Sequence, residues 1–255
     1  MTAGSSPSAK VPAVTLGFWV IKILATTFGE TGGDTVTMTM DLGYLVGSAI
    51  FLAVFAVLAV LQIRARVFHP LLYWATIVAS TTAGTALADF ADRSLGIGYA
   101  GGSLLLLACV AATLGLWYRA AGTVSVDSVA TPRAEAFYWA TITFSQTLGT
   151  ALGDWIADAS GLGYLGAAAV FGAALALVAA ATFRTHVSRA ALFWAAFVLT
   201  RPLGATVGDF LDKPLDEGGL ALSRPLASAI IFAVMAACIL FIPQRAAQKA
   251  QAGEA

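Results

Sequence analysis

Charge is scarce in this chain: only 11% of its 255 residues are Asp, Glu, Lys or Arg, against about 25% in an ordinary soluble domain. With 59% hydrophobic residues, so few charges cannot coat a water-exposed surface, which excludes a soluble globular protein. Formal net charge is zero, so there is no basic field for nucleic acid and no acidic tail for a charged protein partner. Cysteine occurs twice, at Cys109 and Cys238, each inside an apolar run. Both read as small hydrophobic residues rather than as redox or metal-binding thiols. The two histidines, His69 and His186, lie near the ends of apolar runs among Arg and Pro, where a solvated interfacial role fits better than ligation. H-E-x-x-H, G-x-S-x-G, phosphate-binding glycine loops and haem-attachment patterns are absent. The chain therefore does not read as an enzyme.

What is present is a series of apolar stretches of membrane-spanning length: Val14 to Gly32, Leu42 to Ile63, Pro70 to Phe90, Gly98 to Tyr118, Ala134 to Ile156, Leu162 to Phe183, Ala190 to Leu211 and Leu220 to Ile242. Such runs are helices, because every backbone polar group in a bilayer must be satisfied within its own segment. The expected fold is all-α, a polytopic membrane protein with eight transmembrane helices. Lys22 interrupts the first run, which argues against a cleaved leader, and the tail from Arg245 onward is expected to fray. Lys10, Arg64, Arg66, Arg119, Arg133, Arg184, Arg189, Arg245 and Lys249 fall on one side of this topology, and only Arg93, Lys213 and Arg224 on the other. That bias places both termini in the cytoplasm.

A repeat underlies the helices. Trp19 and Asp34, Trp74 and Asp89, Trp139 and Asp154, and Trp194 and Asp209 are each separated by 15 positions, and successive tryptophans by 55, 65 and 55. The repeats are residues 14–63, 69–118, 134–183 and 189–242, read as one helical hairpin each. A linker, residues 119–133, joins the halves 14–118 and 134–242 of a single membrane domain. Each copy enters from the same side, so the copies are expected to be related by an axis along the membrane normal. Gly29, Gly84, Gly149 and Gly204 stand five positions before the aspartates, and Gly43, Gly98, Gly163 and Gly218 nine positions after. The first set suits close helix packing and the second suits turns. The tryptophans read as interfacial anchors.

Stepping back from each aspartate by four and eight residues gives Glu30 and Thr26, Thr85 and Thr81, Thr150 and Gln146, and Ala205 and Arg201. At about 3.6 residues per turn these positions share one face of each odd-numbered helix. Turned inward, the stripes make a polar column that ends in Asp34, Asp89, Asp154, Asp209 and Glu30. Carboxylate, hydroxyl and amide oxygens are hard ligands suited to magnesium, calcium or manganese, and clustered carboxylates stay ionised only when cations or protons neutralise them. Thr26, Thr81, Thr85, Gln146 and Thr150 are then candidates to line a substrate path. Lys22 and Arg201, in mid-helix, should each be paired with a carboxylate as a gate or as a static bridge. The opposing reading has the aspartates capping helix ends in water.

The segments FWVIKILATTFGETGGD, YWATIVASTTAGTALAD, YWATITFSQTLGTALGD and FWAAFVLTRPLGATVGD resemble the repeats of a family of bacterial membrane-anchored proteins defined by a tandem repeat of unknown function. The resemblance covers residues 14 to 242 and implies the four-copy architecture, without an activity. Glu30 in the first copy and Arg201, Pro202 and DKPLDEGGL in the fourth depart from the pattern, which argues against a strictly fourfold pore. The functional expectation is a secondary transporter of a divalent metal such as manganese or magnesium, coupled to protons, with no permanently bound cofactor. Its partners are the lipid bilayer, the metal ion and protons, with room for a homo-oligomer. A transporter of a small organic or zwitterionic solute and a nontransporting sensor or assembly module are the alternatives.

Overall fold

The computed structural model describes residues 9–248. Eight α-helices follow one another along them: α1 (Leu16–Asp34), α2 (Gly43–Arg64), α3 (Pro70–Asp89), α4 (Tyr99–Ala121), α5 (Pro132–Asp154), α6 (Gly163–Arg184), α7 (Arg189–Asp212) and α8 (Arg224–Phe241). Local chemistry sets several boundaries. The Thr15 and Thr131 hydroxyls accept from the free backbone amides of Phe18 and Ala134 at the starts of α1 and α5, and Pro70 and Pro132 occupy first-turn positions where no amide hydrogen is needed. Gly43, Gly98, Gly163 and Gly218 all have positive φ, between 64° and 82°, with open space around them, so they are required by backbone conformation rather than by packing. Helix α8 starts at Arg224, four residues later than the hydropathy run, because the loop before it turns through a positive φ at Ala221.

The odd-numbered helices close into a ring, with α1 packed on α3 and α7, and α5 packed on the same two. Around it, α2 packs on α3, α4 on α5, α6 on α7, and α8 comes back onto α1. Each even helix therefore leans on the odd helix of the next repeat rather than on its own. The reason lies in the turns. After Asp34, Asp89 and Asp154 the odd helices run on into π-helical turns, Thr35–Thr39, Phe90–Ser94 and Trp155–Ala159, which carry the chain away from its own helix.

Glycine sets the ring's tightness. A Cβ on Gly84 would lie 2.8 Å from the backbone carbonyl carbon of Gln146, while Gly29 abuts Thr81, Gly149 abuts Arg201 and Gly204 abuts Thr26. Every contact joins the glycine five before one aspartate to the residue eight before the next, all the way around. Close approach of this kind lets membrane helices gain dispersion contacts where no hydrophobic drive exists.

Six helices, α2, α3, α4, α6, α7 and α8, are long and apolar enough to cross a membrane; the chain is a multi-pass membrane protein. Helices α1 and α5 fall outside that set, α1 carrying Lys22, Glu30 and Asp34 within 19 residues. Both belong to the inner ring, so their polar faces meet protein.

At the end opposite the aspartates the ring is closed by aromatics. Phe18, Tyr73, Tyr138 and Phe193, each sixteen positions before an aspartate, are buried there, and the Tyr73 and Tyr138 hydroxyls share a 2.6 Å hydrogen bond. Trp74, Trp139 and Trp194 belong to this cluster, buried against those rings. They are packing residues, not the interfacial anchors expected: α2 and α4, with the linker that contributes Val124 and Val129, cover them. Both ends of the described segment lie at the same floor. Val11 to Ala13 pair with Arg245 to Ala247 through backbone hydrogen bonds, which orders the start of the tail expected to fray, and Lys10 is buried in a 2.5 Å ion pair with Glu135. Lys249 and the last residues lie outside the described segment.

The ring makes a sharp distinction between glycines. Gly84→Ala is expected to cost about 1–3 kcal/mol by overpacking. Gly115→Ala on the exposed face of α4, where a Cβ meets nothing within 4 Å, should be neutral or slightly stabilising. Thermal unfolding of the purified variants in detergent checks the pair.

Candidate ion site in the helix ring

Helical register stacks the inner faces of α1, α3, α5 and α7 into layers. Counting from the aromatic floor, the next layer is Lys22, Ile77, Ile142 and Phe197; above it come Thr26, Thr81, Gln146 and Arg201, then Glu30, Thr85, Thr150 and Ala205, then the four aspartates. All are buried, the aspartates included at 2–6% exposure. Carboxylates this enclosed are not water-facing helix caps, and their burial requires compensation.

Arg201 supplies part of it from below. Its Nη2 donates to Glu30 Oε2 at 2.9 Å, to Thr85 Oγ1 at 2.6 Å and to Thr150 Oγ1 at 2.5 Å. One guanidinium thus ties together helices α1, α3, α5 and α7. Helix α7 stays helical through Pro202, whose carbonyl accepts from Thr206.

From above, Lys213 Nζ lies 3.1 Å from Asp34 Oδ2 and 3.2 Å from Asp209 Oδ1. Pro214 explains why. It occupies the place where the first three copies have Thr39, Ser94 and Ala159, the last residues of the π turns, and it forces Lys213 into extended backbone, ψ 154°. The loop then folds back, with Ala221 N donating to Lys213 O and Gly219 N to Pro214 O, and the lysine side chain crosses the mouth of the ring. Burial alone would lower the Lys213 ammonium, but Asp209, Asp34 and Asp212 hold it well above the ordinary lysine range. Its ammonium is held against these carboxylates by charge. Arg224 adds longer contacts of 3.8 Å to Asp34 and 3.6 Å to Asp212, and Arg93 binds Asp89 at 2.9 Å.

The five expected carboxylates are therefore not equivalent. Glu30, Asp34 and Asp209 each offer an oxygen within 4.8 Å of the others. Asp89 and Asp154 stand outside that trio, Asp89 engaged by Arg93; insertion of Lys213 from the fourth copy draws the α1 and α7 side chains together and breaks the fourfold arrangement. Among the path candidates, Thr85 and Thr150 serve as acceptors for Arg201. Thr26 donates to carbonyls of its own helix and of Thr200, so it belongs to the packing under Gly204. Thr81 Oγ1 and both amide atoms of Gln146 are buried without hydrogen-bond partners. Lys22 departs most from expectation: it has no carboxylate, and its Nζ lies 4.2 Å from the Phe197 ring centroid. Glu30 lies two turns further up α1 and is taken by Arg201.

Lys213, Arg93 and Arg224 entered the sequence reading only as loop charges. Two of them carried a signal: Arg93 and Lys213 lie four residues after Asp89 and Asp209, the spacing at which helical side chains meet. Above the carboxylates an open cavity of about 500 Å³ is lined by Arg93, Tyr99, Asp158, Tyr164, Lys213 and Glu217 among others, and Tyr99 donates to Asp158 there. A larger recess, about 610 Å³, lies outside the ring against Phe28, Val54, Trp74 and Phe232 and is apolar.

Breaking a buried ion pair by removing one partner leaves a stranded charge and costs about 3–5 kcal/mol. Arg201→Met should pay that cost, and adding Glu30→Gln should recover part of it. A double-mutant cycle on thermal unfolding reads both, and additivity of the two losses would contradict the coupling.

No curated protein and no solved structure matches the chain. The family model described as Repeat of Unknown Function (DUF347) matches four times, over residues 17–68, 72–123, 137–188 and 192–244. These tandem matches span nearly all of the helical chain, each beginning close to its repeat's tryptophan, and the protein belongs to the DUF347 repeat family.

Proposed function

We propose that this protein is a secondary transporter of a cation, with a divalent metal such as manganese or magnesium as substrate and protons as the coupled ion. The observation that carries the reading is the buried trio of Glu30, Asp34 and Asp209, with oxygens within 4.8 Å of one another and a tethered ammonium, Lys213, lying against two of them. A site that accepts a lysine between carboxylates has the charge and the oxygen donors to accept a hard metal ion instead. Six carboxylates, Glu30, Asp34, Asp89, Asp154, Asp209 and Asp212, face four cations, Arg93, Arg201, Lys213 and Arg224. Negative charge beyond what these cations offset is open to neutralisation by a metal ion or by protons, so loading one would expel the other.

In this reading all eight helices span a bacterial inner membrane, α1 and α5 being shielded by their neighbours. Both termini are cytoplasmic, as the Lys and Arg bias favours. The polar cavity then opens outward and the aromatic floor closes the inward side. Arg201 forms the barrier between the trio and the lower column, held by hydroxyls from two helices that must shift for an ion to pass.

Uptake of manganese and magnesium into proteoliposomes under an imposed proton gradient tests the proposal. Glu30→Gln, Asp34→Asn and Asp209→Asn should each reduce ion flux at least about tenfold, equivalent to about 1.4 kcal/mol of lost binding. Asp154→Asn, outside the trio, should have a smaller effect, and Lys213→Met should raise apparent ion affinity by removing the internal competitor. Absence of both metal and proton movement with the parent protein would sink the transport reading.

A further inference from the structure

Beneath the carboxylates lies a second constellation of opposite character. Lys22 Nζ, Arg201 Nε and Nη1, Gln146 Nε2 and Thr81 Oγ1 are buried, and none has a hydrogen-bond partner. They come from α1, α7, α5 and α3, and from two adjacent layers of the inner column. Arg201 and Gln146 stand at the same register on neighbouring helices, with Gly149 of α5 packed on the Arg201 side chain and Gly84 of α3 packed on Gln146. Arg201 is the charged neighbour of Lys22, one turn above it in the column. Glu30 balances Arg201. No carboxylate balances Lys22, whose only close partner among the described residues is the Phe197 ring.

From this we infer that the Lys22, Arg201, Gln146 and Thr81 donors form an intramembrane binding site for a small monovalent anion of halide size. The donor set is what such an ion requires: an ammonium, a guanidinium edge, an amide N–H and a hydroxyl, carried on the inner faces of four helices at two adjacent registers, with no acidic group in the two layers. Buried polar groups in folded proteins are almost always satisfied, and an uncompensated ammonium within a membrane is costlier still. One anion answers both demands for these donors; Gln146 Oε1, an acceptor, is outside its reach. It would screen Lys22 from Arg201 and leave the ring electrically balanced below Glu30. The Phe197 face supports the ammonium from the side but cannot replace a counter-ion, being worth about 0.5–2 kcal/mol. The inference does not rest on cation transport, since it concerns different layers and a ligand of opposite sign.

Bromide alone is a sufficient probe. Thermal unfolding of the purified full chain, with sodium bromide replacing sodium gluconate at constant ionic strength and without divalent ions, should show a saturable rise in unfolding temperature. Lys22→Met should abolish that rise, Gln146→Leu should weaken it, and Glu217→Gln in the outer cavity should leave it unchanged. Crystals grown in bromide should show anomalous density in contact with Lys22 Nζ; this and Gln146→Leu decide the matter should Lys22→Met fail to fold. An unfolding temperature insensitive to bromide, or an equal bromide response in Lys22→Met, would overturn the site. So would a nitrogen NMR signal for Lys22 characteristic of a neutral amine in bromide at neutral pH. Because no metal is present, the result stands whether or not the metal-flux experiment succeeds.

Discussion

Four glycines at one register, each receiving a side chain or backbone from the next odd helix, hold α1, α3, α5 and α7 in a ring. In a bilayer nothing drives apolar helices together except close packing and polar contacts. The rest of the structure depends on that closeness. It puts the polar faces of α1 and α5 against protein, which permits helices with too much charge to face lipid. It also brings positions four, eight and twelve before the aspartates into shared layers, so that an arginine on one helix can reach acceptors on three others.

A ring this tight does not average its departures from symmetry; it turns each into a specific contact. Replacing Thr by Glu at position 30 and placing Arg at position 201 yields one buried ion pair with two threonines as further acceptors. Pro214 ends the helical continuation used by the other copies, and Lys213 enters the carboxylate layer as a result. Both departures fall on the α1 and α7 side of the ring, which is why the trio of close oxygens forms there and not at the centre. The layers below carry the opposite charge, so the column is polarised along its length between an acidic mouth and an aromatic floor.

Much of this was legible from residues. Scarce charge and eight apolar runs announced a helical membrane protein, and the fifteen-residue spacing from tryptophan to aspartate announced the copies. The inward stripe was legible as well, because helical periodicity is a local property. Glu30 and Arg201 stood out as departures, and they pair. Trp74, Trp139 and Trp194 were misread because an indole near a helix start has the same sequence signature whether it faces a headgroup or a neighbouring helix. Lys22 was misread because pairing depends on which layer a side chain reaches, and Glu30 sits two turns above it. Arg93 and Lys213 were treated as loop charges, although their spacing of four residues from Asp89 and Asp209 placed them on the same helical face.

By itself the sequence determined the number of helices, the four copies, the face of each odd helix that is polar, and the residues that break the repeat. All of these follow from spacing along one chain. Only the tertiary structure decided that each even helix packs on the following repeat, and that Glu30, Asp34 and Asp209 meet while Asp89 and Asp154 remain apart. It also decided that Lys22 is left with an aromatic ring as its partner. Those outcomes depend on distances between helices, set by whether a glycine in one admits a side chain from the next, and such complementarity between distant segments is not encoded in local spacing.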